Sequence, residues 1–227
     1  MLAVLSDHFG ERVHDLDLLD VGASTGIIDN VLAGAIRNVV GIDIDAMAIA
    51  YATREFGRGN LSFVVGDAMA LPFGSGSFDL VACTHVYEHV SDAQKMLDEI
   101  FRVLKPGGAC YFAAGNRLMW TEPHYGLPLL SVVPRPLAHA YVRIAGKAAR
   151  YHELHLTHRG LRRLVGRFKL HDYTRKIVAA PEAFVAGYML RPGSLKAMLA
   201  KLLSKHLYWL MPGYIWVLEK PRPSARI

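Results

Sequence analysis

Leu18-Leu-Asp-Val-Gly-Ala-Ser-Thr-Gly26 is the stretch that decides the fold. Leu16, Leu18 and Leu19 supply the apolar run of a buried strand, and Gly22 and Gly26 come where the chain must turn sharply. Without a Cβ the main chain can turn tightly and let a ligand come close. Such turns are common, so its meaning comes from the strands and carboxylates spaced regularly after it. The spacing predicts a short helix over 27–36 and a second strand over 38–43, which closes on the carboxylate of Asp43.

A helix over 46–56 leads to a third strand, 61–65, followed by a second carboxylate, Asp67. A fourth strand is expected over 78–84, a helix over 91–104, the helix-ending turn Lys105-Pro-Gly-Gly108, and a fifth strand over 109–113. Strand and helix in alternation predict a doubly wound α/β fold, a mostly parallel sheet with helices on both faces. Ligands of such sheets lie across the carboxyl ends of the strands, where Asp20, Asp43, Asp67 and His85 all fall. An acidic group at the tip of the second strand is placed to accept hydrogen bonds from the two hydroxyls of a ribose. Duller roles compete: Asp43 as N-cap of the helix near Ala46, Asp67 as cap of the turn before Met69. Glu88-His89 reads equally well as a tie between the fourth loop and the next helix or as chemistry.

The ordered set Asp20-Val-Gly-Ala-Ser-Thr-Gly26, Gly41-Ile-Asp-Ile-Asp45, Gly66-Asp-Ala-Met-Ala-Leu-Pro-Phe73, Phe78-Asp-Leu-Val81, Glu88-His-Val90 and Leu104-Lys-Pro-Gly-Gly108 resembles the class I S-adenosylmethionine-dependent methyltransferases. The nearest branch holds many small-molecule, quinone and glycan methyltransferases, and the resemblance covers roughly residues 15 to 116. It implies a seven-stranded sheet with the last strand antiparallel, and S-adenosylmethionine as cofactor. It sets Gly22 and Gly26 under the methionine part, Asp43 at the ribose and Asp67 at the adenine amino group. Further cofactor contacts implied are Asp20, Ala23, Ser24, Ile44, Ala68 and His85. Ser24 stands where the family has its middle glycine, which implies altered packing of the turn.

The 227 residues suit one domain with a sizeable core, 52% hydrophobic and without low-complexity segments. Within it, 15–116 reads as the cofactor core, 117–156 as a helical lid inserted after the fifth strand, and 157–227 as the part completing the sheet. Cys83 and Cys110 fall inside strands and read as buried thiols of a reducing compartment. With no signal-like order at the N-terminus and no long apolar run, the cytoplasm is the expected location. Charge divides the chain. Residues 1–134 hold 8 basic and 16 acidic side chains, and residues 135–227 hold 18 and 4. A second half that basic points to an anionic partner: a phosphorylated or carboxylated substrate, a membrane surface, or nucleic acid.

Beyond the fifth strand the lid region 127–144 reads as helical, 158–168 as a helix capped by Thr157, 170–179 as the sixth strand and 213–219 as the seventh. Leu195, Met198, Leu199, Leu202 and Leu203 share one helical face, with Lys196, Lys201 and Lys205 beside it. Packing against the sheet is the favoured reading of that stripe, and contact with an anionic bilayer the other.

Methyl transfer to a hydroxyl needs a base near neutrality. His85, ending the fourth strand, and His124, in the loop after the fifth, are the candidate catalytic residues; Tyr87, Trp120 and Tyr125 are the candidate acceptor contacts. His152, His155 and His158 with Glu153 match no metal-ligand spacing, so no metal site is expected. The fourth strand runs into Cys83-Thr-His-Val-Tyr87 rather than a proline–aromatic signature, which weighs against nucleic-acid bases. The expected reaction is O-methylation of a small-molecule, sugar or lipid-linked glycan acceptor. RNA modification, or C- or N-methylation of a small metabolite, are the alternatives.

Overall fold

The computed structural model describes residues 1–223. Strands β1 (Asp17–Val21), β2 (Asn38–Asp43), β3 (Leu61–Val65), β4 (Phe78–Thr84), β5 (Leu104–Gly115), β8 (Lys169–Asp172) and β9 (Gly213–Glu219) form one seven-stranded sheet in the order β3-β2-β1-β4-β5-β9-β8. The first five run parallel, and β9 is antiparallel to both β5 and β8. A separate two-stranded hairpin joins β6 (Thr121–Glu122) and β7 (Leu127–Pro128). The sheet order reverses at β1 and β4, and ligand crevices of open sheets form at such a point.

Helices α1 (Leu2–Phe9), α2 (Ile27–Leu32) and α3 (Ala46–Phe56) alternate with the early strands; α4 (Ala93–Val103), α5 (Arg135–Ile144), α6 (His158–Leu164), α7 (Tyr173–Ala179) and α8 (Leu195–His206) come after them. Strand alternation sends successive side chains to opposite faces. On one face Val81, Cys83 and Trp216 pack with Met96, Ile100, Leu161 and Phe168 of α4 and the α6 region. On the other, Leu80, Ala82 and Val217 pack with Val4, Leu5, Leu32 and Tyr173 of α1, α2 and α7. Cys83 and Cys110 are both free and buried, and burial raises their thiol pKa values.

Several boundaries differ from the sequence expectation for local reasons. The helix over 27–36 stops at Leu32, where the chain turns at Ala33. The turn at Lys105–Gly108 lies inside β5 as an irregularity, with the register against β4 shifting between Phe78 and Leu80. The sixth strand ends at Asp172, whose side chain accepts the Arg175 N–H and caps α7. Tyr173, Thr174 and Val178 are buried at helical spacing instead, and so 173–179 is not strand. The lid is helical only from Arg135; Leu130, Ala138, Val142 and Tyr151 give it a small core of its own.

The stripe on α8 packs as expected only in part, through half-buried Leu203 against the core. Only Ala197 of that helix is buried, while Leu195, Met198, Leu199 and Leu202 remain exposed. Leu199 and Leu203 of α8 and Ile28 and Val31 of α2 wall an apolar groove of about 960 Å³, with Met189 between them in sequence.

Candidate active site

The turn after β1 is built by close packing. Gly22 and Gly26 both have positive φ, +85° and +74°. A Cβ on Gly22 would lie 2.5 Å from Val86 Cγ2, and one on Gly26 2.6 Å from the Phe63 ring. Ser24 takes the left-handed conformation at φ 49°, a strained one for a side-chain-bearing residue. Its N–H donates to Asp43 Oδ2 at 2.9 Å, which ties the turn to the tip of β2.

Asp43 also accepts the Asp45 N–H at Oδ1, 2.9 Å. Asp45, not Asp43, is the N-cap of α3, accepting from Met47 and Ala48. Asp43 is therefore free of the capping role, and each of its oxygens keeps a lone pair for a ligand. Ile44 beside it is 75% exposed, an apolar ledge with no protein partner. Asp67 accepts the Met69 N–H at 2.8 Å, so it does cap its turn while remaining partly accessible. Ala68 is half-buried against the core. A carboxylate for a diol, an exposed aliphatic ledge for a base and a second carboxylate beyond it fit an adenosine.

Asp20 is buried and faces a residue the sequence reading missed, Asp29 in α2, whose buried carboxyl has no cationic partner among the described residues. Burial first, then the neighbouring Asp29 and Asp43 carboxylates, hold Asp20 well above the usual range, and burial raises Asp29 to about 6. Two carboxyls so placed stay together by sharing a proton. Asp20 supports the turn from below, with its carboxyl directed at Asp29.

His85 succeeds β4 in the left-handed region, φ 57°, its N–H donating to Ala113 O at 2.9 Å. The ring is half exposed, and its Nδ1 lies 3.3 Å from Oε1 of fully buried Glu88. Burial would raise the Glu88 pKa, but the His85 hydrogen bond, its own main chain and the charges of His85 and His155 bring it below the usual value. Tyr87 instead belongs to the core: its hydroxyl donates to Gly115 O at 2.6 Å and accepts the Leu156 N–H, so the ring holds the lid strap and does not face an acceptor.

His124 lies in the β6–β7 hairpin, Nδ1 2.6 Å from Oε1 of buried Glu122. His155 reaches the same oxygen through Nε2 at 3.4 Å, and His89 Nε2 is 3.2 Å from His124 Nε2. Burial lowers the His155 pKa against the opposing Glu88 and Glu122 charges. His152, His155 and His158 do not converge: His152 is exposed and His158 stacks among Tyr208, Tyr214 and Trp216. Trp120 stands exposed on the rim, while Tyr125 packs edge-on to Tyr151 in the lid core and gives its N–H to Glu122. Glu122, His155 and Asp29 carried no local signal, because their partners are remote in sequence.

The strand order, with the glycine turn and two carboxylates at the strand tips, is the sheet architecture of solved S-adenosylmethionine-dependent methyltransferases. Residues 19–112 match the family described as Methyltransferase domain. The chain is 34% identical over 140 residues to a demethylmenaquinone methyltransferase of Renibacterium salmoninarum, covering 62% of this chain and 54% of that protein. It is 29% identical over 150 residues to a ubiquinone/menaquinone biosynthesis C-methyltransferase of Desulfotalea psychrophila, covering 60% and 59%. The chain thus spans about half the length of the curated relatives it matches. An S-adenosylmethionine-dependent methyltransferase structure from Methanosarcina mazei superposes with a TM-score of 0.63 at 19% identity, covering 97% of this chain and 98% of that one.

Proposed function

We propose that this chain methylates a ring carbon of a hydroxylated aromatic, quinol-like acceptor that carries an apolar tail. The observation that carries the reading is the half-exposed His85 backed by the buried carboxylate of Glu88. S-Adenosylmethionine supplies the electrophilic methyl group. Gly22, Gly26, Asp43 and Asp67 would hold it, with Ile44 and Ala68 against the base and Ala23 and Ser24 lining the turn. The main contribution of these residues is alignment, which in favourable systems is worth roughly 7–11 kcal/mol.

With Nδ1–H donated to Glu88, the Nε2 of the half-exposed His85 ring is left to act as the base. That nitrogen takes the proton of the acceptor hydroxyl, and the charge left behind raises the electron density of the adjacent ring carbon. The new carbon–methyl bond would form there as the methyl–sulfur bond of the cofactor breaks, leaving S-adenosylhomocysteine. The ring carbon then releases its own proton to water, and His85 returns the first to the oxygen. Glu88 holds the ring in one tautomer and stabilises its charged form. The same base would serve an oxygen acceptor. The names of the relatives favour carbon over the sugar or glycan oxygen expected from sequence alone.

The apolar groove supports the tail. Its size lies at the upper end of the range for small-molecule pockets. Pro212 on its wall accepts the N–H of Asn116, which directly succeeds β5, so groove and loop cluster adjoin. Among the described residues no helix is long and apolar enough to cross a membrane. Exposed Leu195, Met198 and Leu202 beside Lys196, Lys201 and Lys205 favour contact with an anionic lipid surface.

Incubation with methyl-labelled cofactor and a short-tailed demethylmenaquinol tests this reading. The expected product carries one added methyl group on the ring carbon. Transfer only to a sugar or to RNA, with none to quinols, would overturn it.

A further inference from the structure

We propose that Glu122, His124 and His155 bind a divalent transition-metal ion of borderline softness, such as Zn²⁺. One donor atom of each residue lies within 4.8 Å of the others. Glu122 is completely buried, and its only ion-pair partners among the described residues are the two histidines. Its Oε2 is occupied by the Tyr125 N–H at 2.9 Å, which leaves Oε1 to face both rings, 2.6 Å from His124 Nδ1 and 3.4 Å from His155 Nε2. Three donors converge on one point with no lysine or arginine to neutralise the carboxylate. A buried carboxylate with no fixed positive charge beside it is expensive, and a bound cation resolves that cost.

The ligands are preorganised by three different ties. Leu154 N–H donates to Glu88 O at 2.8 Å and Arg117 N–H to Leu156 O at 2.9 Å, which pins the strap carrying His155 from both sides. The β6–β7 pairing holds Glu122. The His155 side chain is 1% exposed, and its Nδ1, the ring nitrogen not facing Glu122, has no hydrogen-bond partner. His124 is about one-third exposed and opens the cluster to solvent. His89, 3.2 Å from the far nitrogen of His124, flanks it.

Two imidazoles and one carboxylate suit zinc and neighbouring transition ions rather than magnesium or calcium, which prefer oxygen ligands. Three protein ligands leave a coordination position open, the arrangement of catalytic rather than structural zinc. The ion would lie in the same loop cluster as His85 and Glu88, where its open position would take an acceptor oxygen as the anion. That role rests on the methyl-transfer reading; the binding of the ion rests on the side-chain cluster alone.

The full chain, stripped with chelator, is titrated with Zn²⁺ in a calorimeter, and with Co²⁺ while visible absorption is monitored. Binding of S-adenosylhomocysteine is measured on the same samples. One tight Zn²⁺ per chain is expected, with Co²⁺ giving the absorption of a low-symmetry nitrogen–oxygen site. His124→Ala, at the exposed edge where folding is not at stake, should weaken Zn²⁺ by more than the roughly 10- to 100-fold that loss of an outer partner costs. It should leave S-adenosylhomocysteine binding within about threefold. His155→Asn should do the same, and His206→Ala on α8 should change neither. Absence of stoichiometric Zn²⁺ binding, or His124→Ala and His155→Asn binding it like the parent, would overturn the metal site. Loss of S-adenosylhomocysteine binding in the parent would instead sink the cofactor reading.

Discussion

Glu88 places Oε1 3.3 Å from Nδ1 of His85, burying a carboxylate behind a half-exposed ring. The lowered pKa of Glu88 keeps that partner charged across neutral pH. Its contribution to holding the ring is present above the unfolded-state value near 4.5 and is lost as pH falls through the lower folded value. His85→Ala should lower turnover by about 10²- to 10⁴-fold, the range for a general base. The dissociation constant for S-adenosylhomocysteine should change by less than about threefold. Glu88→Gln should lower turnover less than His85→Ala. Steady-state kinetics with parallel calorimetry decide it, and equal loss of turnover and cofactor affinity would remove His85 from the base role.

Asp43 joins two segments as well as offering its outer lone pairs. Replacement by alanine removes the acceptor for the Ser24 and Asp45 N–H groups along with any ribose contact. We expect S-adenosylhomocysteine to bind more weakly by about 1–3 kcal/mol, the scale for losing a charged hydrogen-bond partner. Asp45→Ala is the control, since it removes the α3 cap and should lower the melting temperature with little change in affinity. An unchanged affinity in Asp43→Ala would contradict the ribose assignment.

The sheet was legible from sequence because its signals are local. Apolar runs of four to seven residues end at Gly22, Asp43 and Asp67, and each lies within a residue or two of the observed strand tips. Where a single side chain overrode the pattern, the reading failed. Asp172 caps a helix in what otherwise reads as one β-branched strand. The site was legible only in part for a different reason. His85 sits at a strand end, which a sequence shows, but the Glu122–His155 approach joins residues 33 apart across the lid. No spacing rule anticipates that convergence. Asp29 was invisible because a carboxylate in a first helical turn is normally a favourable surface residue, whereas here it is buried against Asp20.

The Asp20–Asp29 pair makes stability depend on pH in the direction opposite to most carboxylates. Asp29 has a folded value of about 6 against an unfolded value near 3.8, so between those limits the folded chain holds more protons. Its stabilising contribution is full below about pH 4 and is lost as pH rises through 6. Asp29→Asn supplies an amide that can donate to Asp20 at any pH. Above pH 7 we expect a gain of about 1–2 kcal/mol, or about 2–8 °C in melting temperature for a chain of this size. Near pH 4 the two proteins should coincide. A variant less stable than the parent at every pH would show that the carboxyls do not share a proton.

The apolar groove makes a prediction that separates tail binding from chemistry. Leu199 lies on its wall yet is 52% exposed, so a polar replacement there disturbs no core packing. Leu199→Glu puts a charge against the apolar walls formed by Ile28 and Val31. Each buried methylene contributes about 0.8 kcal/mol, so a tail of even one or two branched five-carbon units draws much of its affinity from such a surface. The KM for a tailed acceptor should rise at least tenfold in Leu199→Glu, while kcat and the KM for the tail-less ring stay within about twofold. A fall in kcat for both acceptors would mean that the substitution acts through the fold. Equal KM values for tailed and tail-less acceptors in the parent chain would show that the groove does not hold the tail.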